Sequence, residues 1–224
     1  MQLKFIGDID DLIRGIQLFS SDLVFELSNE GIPVYVEKRR GNIEVEFTNN
    51  IGYIKYEKKI HFFRALGLFI ESLRKSNSFK IYEEPQFTMN GVMFDVSRNA
   101  VMTVKSIKKM ILKVAIMGLD TIMLYTEDLY QIDGQPYFGY MRGRYTKDEL
   151  KECDDFADIF GIEMIPCIQT LAHLREFLKW DAAAHLRENI STLLPGNDAT
   201  YEFIEEMIKA ASAPFRSRRI HLGM

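Results

Sequence analysis

The sequence predicts an α/β chain in two parts: a small α+β domain over residues 1–86 and, over 87–224, the first half of a (β/α)8 barrel. Three observations carry this. Up to about Glu84 the hydrophobic pattern alternates with a period of two. After Gly91, short and nearly continuous apolar runs alternate with stretches of helical period. The turn after the first of those runs, DVSRNA, holds no glycine, which removes the phosphate-binding turn of a dinucleotide-binding sheet.

In the first part, IPVYVEK (Ile32 to Lys38), IEVEFTN (Ile43 to Asn49) and IGYIKYE (Ile51 to Glu57) place apolar and polar residues on opposite faces, as half-buried strands do. RRGN and NNIG supply turn residues between them. IHFFRALGLFIESLRK reads as a helix, with Ile60, Phe63, Phe69 and Ile70 available for its apolar face. The expected unit is three antiparallel strands under one helix, with KIYEEPQF carrying the chain onward.

In the second part, GVMFDVSR (Gly91 to Arg98) is the first strand. TVKSIKKMILKVAIMGLD follows as an amphipathic helix on Ile107, Met110, Ile111, Val114 and Ala115, stopped at Gly118. TIMLYTED (Thr121 to Asp128) is the second strand. Thr146 and Glu149 have capping-box spacing ahead of the next helix, which Gly161 closes. IEMIPCIQ (Ile162 to Gln169) is the third strand, ATYEFIEEMIKAA a further helix, and RRIHLGM (Arg218 to Met224) a fourth strand. Strands this apolar, alternating with helices, form a parallel sheet covered on both faces. A TIM barrel takes eight such units and about 250 residues, so four strands make half of one.

Composition excludes several classes. Of 224 residues, 47% are hydrophobic and 27% charged, enough for a core. The formal net charge of -4 offers no basic field for nucleic acid or an anionic membrane. The start, MQLKFIGDID, lacks the basic-then-apolar order of a secretion signal, and no apolar run approaches the roughly 20 residues that span a bilayer. A cytoplasmic location is expected. Cys153 and Cys167 have no CxxC spacing and read as small buried thiols.

In a barrel, functional groups stand at the C-terminal ends of the strands. There the sequence offers Asp95 and Arg98, then Glu127 and Asp128, then Gln169 and His173. Carboxylates accept from sugar hydroxyls and a guanidinium donates in a rigid fork. Each pair alone also fits an ion pair, a cap or a solvated loop. Together the fold places them in one mouth. Tyr125, Tyr137, Phe138 and Trp180 either stack on a sugar face or pack in core and loops. His61 and His185 have no strand-end context and read as surface or structural.

At these residues the chain resembles the family 20 glycoside hydrolases, the β-N-acetylhexosaminidases. GVMFDVSRNAV is similar to that family's first barrel strand, whose arginine would be Arg98. TIMLYTEDLY is similar to the second, with Glu127-Asp128 where the family has an acidic pair. IEMIPCIQTLAHL is similar to the third, whose histidine would be His173. YFGYMRGRYTKDEL resembles a loop and helix of its bacterial members. RRIHLGM resembles the fourth strand, which the family follows with an Asp-Glu pair. The Glu is the general acid/base and the Asp orients the substrate's 2-acetamido group.

The resemblance implies hydrolysis of terminal β-linked N-acetylhexosamine by a substrate-assisted, retaining mechanism, with no metal or cofactor. It implies substrate binding by Arg98, Glu127, Asp128 and His173, supported by Asp95 and Gln169. No catalytic acid/base is assignable within the chain. The expected Asp-Glu pair falls after Met224, so the chain reads as an inactive fragment, with an open barrel edge prone to self-association. Competing readings are a sugar-binding half-barrel without chemistry, a different barrel enzyme, and an open α/β protein that completes its sheet with a partner chain.

Overall fold

The computed structural model describes residues 1–98 and 101–223. Asn99 and Ala100 of the first barrel-strand motif, and Met224 at the end of the fourth, lie outside the described residues. The chain divides into two compact units. One is Met1–Asn90 with Lys109–Asp120 and Phe156–Ile162; the other is Gly91–Lys108, Thr121–Asp155 and Glu163–Met224.

The first unit runs β1 (Gln2–Gly7), α1 (Ile13–Asp22), β2 (Glu26–Leu27), β3 (Ile32–Lys38), β4 (Ile43–Thr48), β5 (Ile51–Tyr56), α2 (Lys59–Leu73) and β6 (Phe79–Glu83). Its sheet has the order β2-β1-β3-β5-β4-β6. The expected strands β3, β4 and β5 are present, but they are not all antiparallel. β3 pairs with β5 in parallel, and only β4 and β5 form a hairpin. The reason lies in the turns. Asn49 and Asn50 both take the left-handed conformation, with φ of 50° and 61°, as a tight two-residue hairpin requires. The RRGN segment lacks that signature and lets β3 pair elsewhere. KIYEEPQF is not a mere connection, since β6 pairs antiparallel with β4.

β1 and α1 were not legible. β1 shows no clean alternation, and its parallel partners come from distant residues. α1 buries Gly15, Ile16 and Phe19. A Cβ on Gly15 would sit 2.3 Å from the Phe63 ring, so only glycine lets α1 approach it. Phe19, Phe63 and Phe160 pack with ring centroids 5.0–5.6 Å apart. Each buried ring contributes about 1.5–3 kcal/mol by burial, and each pair adds about 0.5–1.5 kcal/mol.

The second unit contains β7 (Gly91–Asp95), α3 (Val104–Met117), β8 (Thr121–Tyr125), α4 (Lys147–Asp158), β9 (Glu163–Cys167), the short α5 (Arg175–Leu178), a 3-10 turn at Asp181–Leu186, a small hairpin of β10 (Arg187–Asn189) and β11 (Thr192–Leu193), and α6 (Asp198–Ser212). Parts of α3 and α4 belong to the first unit. β7, β8 and β9 are parallel and in that order. The capping box holds: the Thr146 hydroxyl accepts from the Glu149 amide at 3.1 Å, and Glu149 Oε2 accepts from the Thr146 amide at 2.8 Å. Gly118 and Gly161 follow α3 and α4 with φ of 78° and 73°.

Among the described residues, the fourth strand is represented by one isolated parallel bridge, between Cys167 and His221. His221 donates to the Pro166 carbonyl and accepts from the Ile168 amide, both at 2.9 Å. Ahead of it the chain is held by side chains, with Arg216 on Asp154 and Arg219 on Glu163. Beyond it Gly223 takes a left-handed conformation, with φ of 58°.

Candidate functional site

Register sets the site. Asp95, Tyr125 and Cys167 stand in one row at the C-terminal ends of β7, β8 and β9. Just beyond Asp95 the chain turns. Asp95 Oδ1 accepts from the Ser97 amide (3.0 Å), the Ser97 hydroxyl (3.1 Å) and the Arg98 amide (3.2 Å). Burial pushes the Asp95 carboxyl up, but these donors and the Arg98 charge outweigh it and hold it below its ordinary value. Asp95 stays ionised and anchors Arg98 Nη1 at 3.3 Å.

The Tyr125 hydroxyl is the centre of the network. It accepts from Arg98 Nη2 at 3.1 Å and from Gln169 Nε2 at 3.0 Å, and it donates to Glu127 Oε1 at 3.0 Å. Arg98 Nε lies 3.4 Å from the same Glu127 oxygen, and its guanidinium carbon lies 4.8 Å from the Tyr125 ring centroid. Burial, then the Glu127 charge, pushes the Tyr125 phenol up to about 12. It therefore remains a neutral donor. The sequence marked Tyr125 only as a ring; its hydroxyl is the functional group.

Glu127 and Asp128 part company. Thr126 is pinned to the Cys167 carbonyl through both its amide and its hydroxyl at 3.1 Å. The next residue, Glu127, takes φ of 45°, a left-handed conformation costing about 1–2 kcal/mol. Glu127 then serves the Arg98 network. Asp128 does not. It is 1% exposed, Oδ1 accepts from Arg142 Nη1 at 2.8 Å, and Oδ2 has no partner among the described residues. Burial pushes its carboxyl up to about 6 against the pull of Arg142.

Thus the structure brings together Asp95, Arg98, Glu127 and Gln169, adds Tyr125, and leaves Asp128 and His173 outside. His173 is exposed, with φ of 60°, and has no side-chain hydrogen bond among the described residues. Sequence reasoning missed Arg142. Its only signal is one of two arginines, Arg142 and Arg144, in a glycine-punctuated loop, indistinguishable there from surface charges. Phe138 is core, packed on Tyr130, Phe177 and Phe203. Tyr137, Tyr140 and Trp180 pack on one another. His61 is buried in the first turn of α2 and His185 is exposed. Cys153 and Cys167 are buried and unpaired.

Cavities of about 280–330 Å³ lie in the first unit, one lined by His61, Arg64, Glu83 and Asp120. None of these three is lined by Arg98, Tyr125, Glu127 or Gln169. Arg98 has a 53% exposed side chain, and no hydrogen bond to Glu127 Oε2 is seen among the described residues. An exposed fork of donors beside an acceptor suits a polyhydroxylated ligand. Among the described residues no group of three His, Cys, Asp or Glu side chains could hold a metal ion, and no helix is long and apolar enough to cross a membrane.

No family model matches the chain. It is 30% identical over 95 residues to hexosaminidase D of Bos taurus, which covers 41% of this chain and 28% of that protein. It is 26% identical over 195 residues to a probable β-hexosaminidase of Drosophila melanogaster, covering 80% of this chain and 29% of that one. Its fold matches a family 20 exo-β-N-acetylglucosaminidase of Vibrio harveyi in complex with N-acetylglucosamine. The TM-score is 0.80 at 19% identity, over 99% of this chain and 43% of the other. A Streptomyces plicatus β-hexosaminidase variant with bound product gives 0.79, over 98% of this chain and 54% of that one. The chain is therefore related to the family 20 β-hexosaminidases and spans less than a third of the length of these two curated relatives.

Proposed function

We propose that this chain forms the hydroxyl-binding side of an N-acetylhexosamine pocket, built on a half-barrel over residues 87–224. Arg98 donates to the sugar hydroxyls, Glu127 accepts from them, and Asp95, Tyr125 and Gln169 hold those two in place. The observation that carries the reading is the exposed Arg98 guanidinium, fixed on three sides by Asp95, Tyr125 and Glu127 at the strand ends. The relationship to enzymes solved with N-acetylglucosamine bound supports the choice of sugar.

The whole protein, on this reading, hydrolyses terminal β-linked N-acetylhexosamine with the substrate's own acetamido group as nucleophile. The acid/base is not among the described groups of the network. Asp95 is held ionised. Asp128 has a carboxyl near 6, which suits proton transfer, but it is buried and locked to Arg142. The 224 residues alone bind the sugar and do not turn it over. A cytoplasmic location belongs to the same reading, and cell fractionation tests it.

Saturation-transfer NMR with N-acetylglucosamine tests binding, alongside release of a chromogenic aglycone from its β-glycoside. Binding lost in Arg98→Ala, with no turnover by either protein, is the expected result. Turnover by the 224-residue chain, or binding indifferent to Arg98→Ala, overturns the assignment.

A further inference from the structure

One guanidinium in the loop between β8 and α4 reaches two places at once. Arg142 Nη1 donates to Asp128 Oδ1 at 2.8 Å, and Nη2 donates to the Ser97 carbonyl. Ser97 directly precedes Arg98. Its amide and hydroxyl are already held by Asp95, so its carbonyl is the remaining handle on that turn, and Arg142 takes it. The grip is buried: the Arg142 side chain is 16% exposed and that of Asp128 1%.

The loop is shaped for this reach. Gly139, Met141 and Gly143 flank Arg142 in left-handed conformations, with φ of 67°, 60° and 70°. A left-handed methionine is strained and persists only where its surroundings demand it. Arg144 in turn holds the carbonyls of Pro136 and Phe138. A planar fork is needed for two acceptors in fixed directions, which a lysine cannot supply. Asp128 is the natural second acceptor because its buried charge is costly without a partner. Glu127 and Glu176 also act on it electrostatically, and both oppose its ionisation.

We propose that Arg142 is a positioning residue: by holding the Ser97 carbonyl and Asp128 together, it fixes the Asp95–Arg98 turn and so the direction in which Arg98 meets its ligand. The ligand rests on the sugar-binding reading above; the positioning does not.

The test reads Arg98 itself. In 15N-labelled chain, the Arg98 Nε–H, 3.4 Å from Glu127 Oε1, is the probe, and its exchange with water is compared between wild type and variants. The double variant R142A/D128N removes the guanidinium without leaving a buried charge unpaired. In it, Arg98 Nε–H exchange should rise at least tenfold and N-acetylglucosamine affinity should fall about tenfold. D128N alone keeps the Ser97 grip and should leave Arg98 near wild type. R142K keeps the charge but not the fork and should behave like the double variant. Unchanged Arg98 exchange in the double variant, or full rescue by R142K, overturns the proposal. If Arg98 responds as stated while the wild-type chain binds no sugar, the positioning role stands and the sugar assignment falls.

Discussion

Tyr125→Phe removes one oxygen and keeps the ring. Three bonds end on that oxygen: from Arg98, from Gln169 and to Glu127. The Arg98 bond is discounted, because its side chain is half exposed and water replaces the partner. The other two lie between groups 6–8% exposed. Donation to the Glu127 carboxylate is worth about 1.5–3 kcal/mol, and Gln169 left without an acceptor costs about 1–3 kcal/mol. Glu127 keeps Arg98 as a partner, so the lower halves of these ranges apply, giving about 3 kcal/mol. That is roughly a hundredfold in the unfolding constant. Trp180, the sole tryptophan, lies in the same unit and reports its unfolding in urea by fluorescence. Sugar binding should weaken in parallel, since Arg98 loses one of its guides. A loss below about 1 kcal/mol would show that the hydroxyl is not the centre of the network.

Stability should also depend on pH through Asp128. Its carboxyl rises from an ordinary 3.8 to about 6 on folding, so below pH 4 both states hold the proton and nothing is lost. Between about pH 4 and 6 the unfolded chain ionises first, and about 3 kcal/mol is lost by pH 7. Asp128→Asn should flatten that decline in urea melts across pH; an unchanged slope would assign it to another group. Gly223→Ala places a Cβ 2.4 Å from the Ile168 carbonyl and 2.6 Å from Gln169 Nε2 at a left-handed position, and should cost at least about 1–2 kcal/mol. A neutral effect would mean the chain after His221 is free to move away. β7 pairs on one side only among the described residues, and Met93 on it is 47% exposed. Concentration-dependent association by light scattering should drop in Met93→Lys, since a charge blunts an edge strand; equal scattering places the contact elsewhere.

The elements legible in the sequence are those that one residue's own chemistry decides. The Thr146/Glu149 box, the glycine stops after α3 and α4, and the alternation of β3 to β5 all depend on neighbours within a few positions. What failed depended on distant partners. β1 is a strand because β3 lies beside it, and α1 sits where it does because Gly15 admits the Phe63 ring. β6 is the exception, for its alternation at Phe79 and Ile81 is local, although KIYEEPQF reads by composition as a connection. The fourth strand erred the other way. Its apolar run is real, but the Arg216 amide bonds the Asp154 side chain and the Arg219 amide bonds the Ser217 hydroxyl, and among the described residues only His221 stands in register.

The same distinction explains why the site was legible as a set and not as roles. The strand-end rule gathers Asp95, Arg98, Glu127, Asp128, Gln169 and His173 from the sequence, and the structure joins all but Asp128 and His173 in one network. It cannot separate Glu127 from Asp128, because that choice is made by two contacts outside the strand. Thr126, tied to the Cys167 carbonyl, forces Glu127 into a left-handed turn toward Arg98. Arg142, arriving from a loop 14 residues later, then captures Asp128 on the buried side. Either carboxylate alone would be an ordinary acidic residue after a strand. Their division, one joined to the Arg98 network and one to Arg142, follows from which neighbour reaches each. It should therefore reverse only if both of those contacts are removed.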